Sequence, residues 1–203
     1  MSIRNSTVKR PAAETGTADR LLDAARASIL SVGWTRTTLT DVARRAGLSR
    51  MTIYRTYPDK TALFGDLMTR EWAEVIESVL AEAPSDGGWP AVIANRVARI
   101  AAELRTNEVF RRIVDVDPEL LLTYLLDRRG RSQDALLEIL ADRIREAQAE
   151  GGVRDGDPGL LARTVLLTAQ GFTLSAHTMA DGTVSEADID AQLVELIRRY
   201  LTP

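Results

Sequence analysis

Seven residues, RMTIYRT, place Arg50, Met51, Thr52, Tyr54, Arg55 and Thr56 together and leave Ile53, with Tyr57 just beyond, as the obvious inward side chains. Such a face is too polar and too aromatic for ordinary solvent cover. An arginine can donate two hydrogen bonds to guanine, a threonine can meet a thymine methyl or a phosphate, and a tyrosine hydroxyl can reach a backbone oxygen. The chemistry on offer is recognition of a nucleic-acid duplex. Further on, Asp59 is placed to cap a new helix, with Lys60 in its first turn. A cation there opposes the helix dipole, whereas a phosphate at that N-terminus would satisfy both the free N–H groups and Lys60.

Two short helices are needed to hold these groups. Thr40 is a suitable N-cap for the first, which places Val42, Ala43 and Ala46 on one face before Gly47 ends it. Leu48 crosses a tight turn, Ser49 caps the second helix, and Ile53 falls where it can pack back onto Ala43. Helices that cross steeply over a short turn need a small residue at the crossing and one that tolerates positive φ in the turn. Ala43 and Gly47 supply them, so the pattern is that of a helix-turn-helix, whose second helix can enter the major groove of DNA.

Thr38, Thr40, Ala43, Ala46, Gly47, Ser49, Thr52, Tyr54, Tyr57, Pro58, Lys60, Ala62 and Leu63 together resemble the DNA-binding region of the TetR family of bacterial transcriptional regulators. The resemblance spans roughly residues 17–72 and beyond about residue 80 becomes one of length and helix layout. It implies phosphate contacts for Thr38, Thr40, Tyr54 and Lys60, and a base-facing role for Arg50, Met51, Thr52 and Arg55. Met51 departs from the small residue often found at its position. The resemblance also implies a homodimer.

Composition agrees with a nearly all-helical chain: aromatic content is low, Ala and Leu are abundant, and no stretch alternates in period two for long. The expected organisation is a disordered basic arm at residues 1–16, a three-helix DNA-binding domain at 17–76, and a helical ligand-binding and dimerisation domain at 77–203. Residues 1–70 hold 12 Lys or Arg against 6 Asp or Glu, a net of +6, while the remainder carries −9, so the overall −3 conceals a basic reader on an acidic body. The opening residues lack the apolar core of a signal peptide. The longest apolar run, at 120–126, is far short of the ~20 residues needed to span a bilayer, so a soluble cytoplasmic protein is expected.

Enzymatic chemistry finds little support. Cysteine is absent, which removes thiolate nucleophiles and cysteine metal sites, and His177 is the single histidine, without a marked Ser or Asp partner. DVDP at residues 115–118 could pair two carboxylates, but Asp117 before Pro118 reads better as an N-cap with proline at the first helical position. The glycines of EGGVRDGDPG follow no strand and lack the order of a nucleotide cradle. No enzyme and no cofactor or metal is expected.

The supporting elements follow from periodicity. A first helix, capped by Thr17 and stopped by Gly33, carries Leu21, Leu22, Ala25 and Ile29, and Trp34 just after it should be buried. A fourth helix should run from 59 or 60 to about 83, joining reader to body. Body helices are expected at about 89–105, 109–114, 119–127, 132–149, 160–179 and 186–201. Trp72, Phe110, Tyr124 and Phe172 are candidates either to line an apolar pocket or to be plain core. The last two helices carry surplus apolar surface, with Val165, Phe172, Leu193 and Ile197 expected in a four-helix interface between two copies. These readings converge on a ligand-responsive repressor that binds a palindromic operator as a homodimer and is released by a small apolar molecule.

Overall fold

A computed structural model of the chain describes residues 12–83, 86–122, 125–126 and 129–203. Among them are ten α-helices and no strand: α1 (Ala12–Val32), α2 (Leu39–Arg45), α3 (Arg50–Thr56), α4 (Lys60–Ala81), α5 (Gly88–Thr106), α6 (Glu108–Val116), α7 (Glu119–Leu122), α8 (Arg131–Ala149), α9 (Pro158–Met179) and α10 (Glu186–Leu201). The chain divides into two compact units, Met1–Leu67 and Met68–Pro203, with the boundary inside α4. The division expected after residue 76 lies further along the same helix. No helix of the described residues is long and apolar enough to cross a membrane.

In the first unit α1 packs on α2, and α2 on α3. Helix α1 begins at Ala12, ahead of the cap expected at Thr17, so residues 12–16 of the expected arm are helical. Ala12, Ala13 and Glu14 are strong helix formers that outweigh the cost of Gly16, about 1 kcal/mol. The rest of that arm, residues 1–11, lies outside the described residues. At its other end α1 stops at Gly33, whose φ of 83° is left-handed and whose N–H donates to the Ile29 carbonyl at 2.9 Å. Trp34 is buried, its ring 4.6 Å from that of Phe64 and tilted by 51°.

In the second unit α5, α9 and α10 pack on one another and α8 packs on α9. Ala94, Ala98 and Ala101 give α5 a face of small side chains, and they share one buried cluster with Ile144 of α8, Leu161 and Ala162 of α9 and Leu201 of α10. At the end of α5, the nearly buried Arg105 donates to Glu186 at 3.1 Å and pairs with Asp190, which fastens it to the first turns of α10. Asp157 caps α9 by accepting from the Gly159 N–H at 3.0 Å, with Pro158 at the first helical position. Ser185 caps α10 in a box with Asp188, and the Ser185 hydroxyl and N–H hold that carboxyl below its usual range.

Of the helix expected at 119–127, Glu119–Leu122 is α-helical among the described residues. Asp117 is buried at the end of α6 and donates its N–H to the Ile113 carbonyl at 2.9 Å. One expectation is corrected here. The expected interface residues Val165, Leu193 and Ile197 are 1, 0 and 2% exposed in the single chain and belong to its own core. Phe172 is half-buried against the same cluster. The apolar side chains left exposed are Leu160, Leu167 and Met179 on α9 and Leu196 on α10.

Leu193→Ala should therefore lower the unfolding free energy by about 2–5 kcal/mol, read from the urea midpoint at unchanged slope, and a loss well below ~1 kcal/mol would place Leu193 outside the core.

Candidate nucleic-acid interface

The position of the first short helix is set by its cap. Thr38 is extended (φ −119°, ψ 152°), its hydroxyl oxygen accepts from the Asp41 N–H at 3.1 Å, and its O–H donates to Asp41 Oδ2 at 2.6 Å. The cap is therefore Thr38, and Thr40, expected in that role, lies one residue inside the helix and is half-buried. Burial of Leu39 decides between the two threonines: starting the helix at Leu39 turns that side chain, with Val42 and Ala43, into the core.

The turn that follows is a Schellman closure. Leu48 N–H donates to the Ala43 carbonyl at 2.9 Å and Gly47 N–H to Arg44 at 3.1 Å, with Gly47 at φ 65°. Arg20 of α1 adds a guanidinium hydrogen bond of 2.7 Å to the Ala46 carbonyl, so α1 satisfies one of the orphan acceptors at this helix end. Chain direction between α2 and α3 is thus fixed by backbone bonds and one long side chain.

Helix α3 is capped by Ser49, whose Oγ accepts from the Thr52 N–H at 3.1 Å and lies 2.8 Å from the Thr52 hydroxyl. Ile53 is 0% exposed and Tyr57 is buried just past the helix end. With these turned inward, Arg50 and Arg55 are exposed, Met51 is 81% exposed and Tyr54 53%. Thr52 departs from expectation: it is half-buried, and its hydroxyl is engaged with Ser49.

Lys60 departs further. Its Nζ donates to the Trp34 carbonyl at 2.7 Å and to that of Thr35 at 3.3 Å, and it lies 4.4 Å from the Trp34 ring centroid. The local reason for a cation in the first turn of α4 is this pair of carbonyls and an aromatic face, not an open helix N-terminus. Asp59 caps α4 as the spacing predicts, accepting from the Ala62 N–H at 2.7 Å.

The guanidinium groups fall into two sorts. Arg36, Arg45, Arg50 and Arg55 are exposed and make no hydrogen bond or ion pair among the described residues, while Arg44 is held by Asp41 at 2.8 Å. In the second unit Arg99, Arg105, Arg129, Arg143, Arg145 and Arg198 each pair with a carboxylate, while the exposed Arg111 has no such partner among the described residues. Unpaired positive charge lies on and beside α2 and α3, where a polyanion can neutralise it. Arg36 and Arg45 escape motif reasoning; the basic excess of residues 1–70 signals them collectively, not by position.

The expected effector residues are dispersed. Trp72 is half-buried on α4 with its Nε1 buried and without an acceptor among the described residues, Phe110 is buried on α6, and Phe172 packs on the α5–α9–α10 cluster. Tyr124 lies outside the described residues. His177 is exposed on α9.

A family model described as bacterial regulatory proteins, tetR family, matches residues 21–67, which contain α2, α3 and their turn. A helix-turn-helix transcriptional regulator of Mycobacterium bovis is 35% identical over 185 residues, covering 91% of this chain and 94% of that one. Among solved structures, the R. erythropolis transcriptional repressor QsdR of the TetR family superposes with a TM-score of 0.68 at 15% identity, over 95% of this chain and 98% of that one. The transcriptional regulator FadR from Bacillus subtilis, solved in complex with stearoyl-CoA, gives 0.61 at 17% identity over 90% and 98%. Sequence identity along nearly the whole chain, a family model on the reader and the same all-helical fold agree: the chain belongs to the TetR family of helix-turn-helix, DNA-binding transcriptional regulators.

Proposed function

We propose that this regulator is a homodimeric repressor that reads a palindromic operator through two copies of α3 and is released by a small, largely apolar effector bound in its second unit. The observation that carries the proposal is the outward face of α3, where Arg50, Tyr54 and Arg55 stand exposed behind a fully buried Ile53. Two such helices related by a two-fold axis reach half-sites one duplex turn apart or a multiple of it. Tyr54 and Thr38 are assigned to phosphate, as is Arg45, and Arg50 and Arg55 to base edges. Thr40, Thr52 and Lys60 play a smaller part than their positions in the sequence suggest, because the chain's own groups already bury or bond them.

The repressor reading is supported by QsdR, a repressor of this fold, and the effector reading by the FadR complex with stearoyl-CoA, also of this fold. Within the chain it is supported by the Trp72 indole N–H, a buried donor that a bound molecule could satisfy. An effector acts by preferring a dimer in which the two readers are wrongly spaced, a population shift limited by its differential affinity. The dimer reading draws on the exposed Leu167 (69%) and Leu196 (51%) of the last two helices, which a second copy would cover.

On DNA taken from upstream of the protein's own gene, Arg45→Ala should weaken binding uniformly across sequences and reduce the log–log salt slope by about 1 per reader, whereas Arg50→Ala should cost about 1–3 kcal/mol at particular base pairs, in mobility-shift titrations. Unchanged affinity in both variants would reject the interface. Sedimentation should find a dimer for the wild type and a monomer for Leu167→Glu combined with Leu196→Glu; a monomeric wild type would reject the dimer.

A further inference from the structure

Helix α3 carries one outward side chain that cannot hydrogen-bond usefully to a base or a phosphate. Met51 is 81% exposed, the highest value among the exposed large apolar residues described. Its direction follows from Ile53. Residues of an α-helix two apart differ by about 200° in direction, so with Ile53 turned fully inward, Met51 and Arg55 lie on the opposite side, four residues apart. Arg50 and Tyr54 occupy one flank, and Thr52, tied to Ser49, the other. The part of α3 that projects furthest is a thioether beside a guanidinium.

What covers that thioether must be apolar locally and anionic around it. Arg50 and Arg55 share the helix with Met51, and Arg36 and Arg45 add exposed charge in the same unit, none of it with a partner among the described residues, so a second copy of this face would be repelled and duplex DNA attracted. Inside a major groove, the apolar group that distinguishes one base pair from another is the C5-methyl of thymine. Resting on the operator-binding reading above, we infer that Met51 is a specificity-determining residue that reads a thymine methyl. The thymine lies near the guanine met by Arg55: Cβ atoms four apart on a helix are ~6 Å apart and successive base pairs ~3.4 Å, so the two bases lie within about two steps of each other. Thr52, the alternative reader of a methyl, has its hydroxyl engaged with Ser49 and is half-buried.

The test uses the full-length protein and duplexes that it selects from a random library. Each thymine of a selected half-site is replaced in turn by deoxyuridine, which removes only the methyl group. One position per half-site, within two base pairs of a guanine to which Arg55→Ala is indifferent, should lose affinity by roughly three- to tenfold in the wild type. Met51→Ala should bind the thymine and uracil duplexes equally, Met51→Leu should keep the preference, and both should melt like the wild type because the side chain is exposed. Indifference of the wild type to every uracil substitution, or an undiminished preference in Met51→Ala, overturns the assignment while leaving operator binding intact. Failure of the wild type to enrich any sequence overturns the operator reading and this inference together.

Discussion

The structure of the reader depends on where one methyl-bearing side chain goes. Ile53 is sealed behind α2, and because α3 has only seven residues, that single burial fixes its rotation about its own axis. The approach of α3 to α2 is fixed in turn by the Schellman bonds at Ala43, Arg44 and Gly47. Any other L-residue at Gly47 would have to adopt φ 65°, at a cost of roughly 1–2 kcal/mol. Hydrophobic burial thus sets the angle of the helix, and the backbone sets its place. The outward chemistry, Arg50, Met51, Tyr54 and Arg55, is a consequence of both.

Charge is distributed to match. In the second unit Arg99, Arg143, Arg145 and Arg198 pair with carboxylates on neighbouring turns and Arg105 with two on α10, and the excess of carboxylates over residues 71–203 keeps that part of the chain acidic. Beside α3 the carboxylates are few, and those present have other work: Asp41 holds Thr38 and Arg44, and Asp59 caps α4. Guanidinium groups without partners are not stabilising in themselves. They are useful where a phosphate backbone arrives to release its counterions. An acidic chain can therefore bind DNA, since the sign of the local field and not the net charge governs encounter.

Much of this was legible in the sequence where the cause is local. The caps at Ser49 and Asp59, the left-handed Gly47 and the inward Ile53 all follow from residue type at fixed spacing, and each is found as expected. The errors arise where a distant partner decides. Thr38 and Thr40 are equally good caps until Leu39 is known to be buried. Lys60 next to a helix start invites a phosphate until the carbonyls of Trp34 and Thr35, some 25 residues earlier, are placed against it. Amphipathic stripes on α9 and α10 reveal that Val165, Leu193 and Ile197 are covered, and say nothing about whether the cover is the same chain or another. In the event α5 and its alanines provide it.

The most direct measurement of the central claim exploits the absence of cysteine from the chain. A single thiol introduced by Thr56→Cys, at the end of α3, can carry an iron chelate that cuts DNA close to where the helix lies. If α3 enters the groove in two symmetry-related copies, cleavage of a selected duplex falls in two clusters separated by about 10–10.5 base pairs or a multiple of that spacing. Cleavage spread evenly along the duplex, or gathered in a single cluster, would contradict the account.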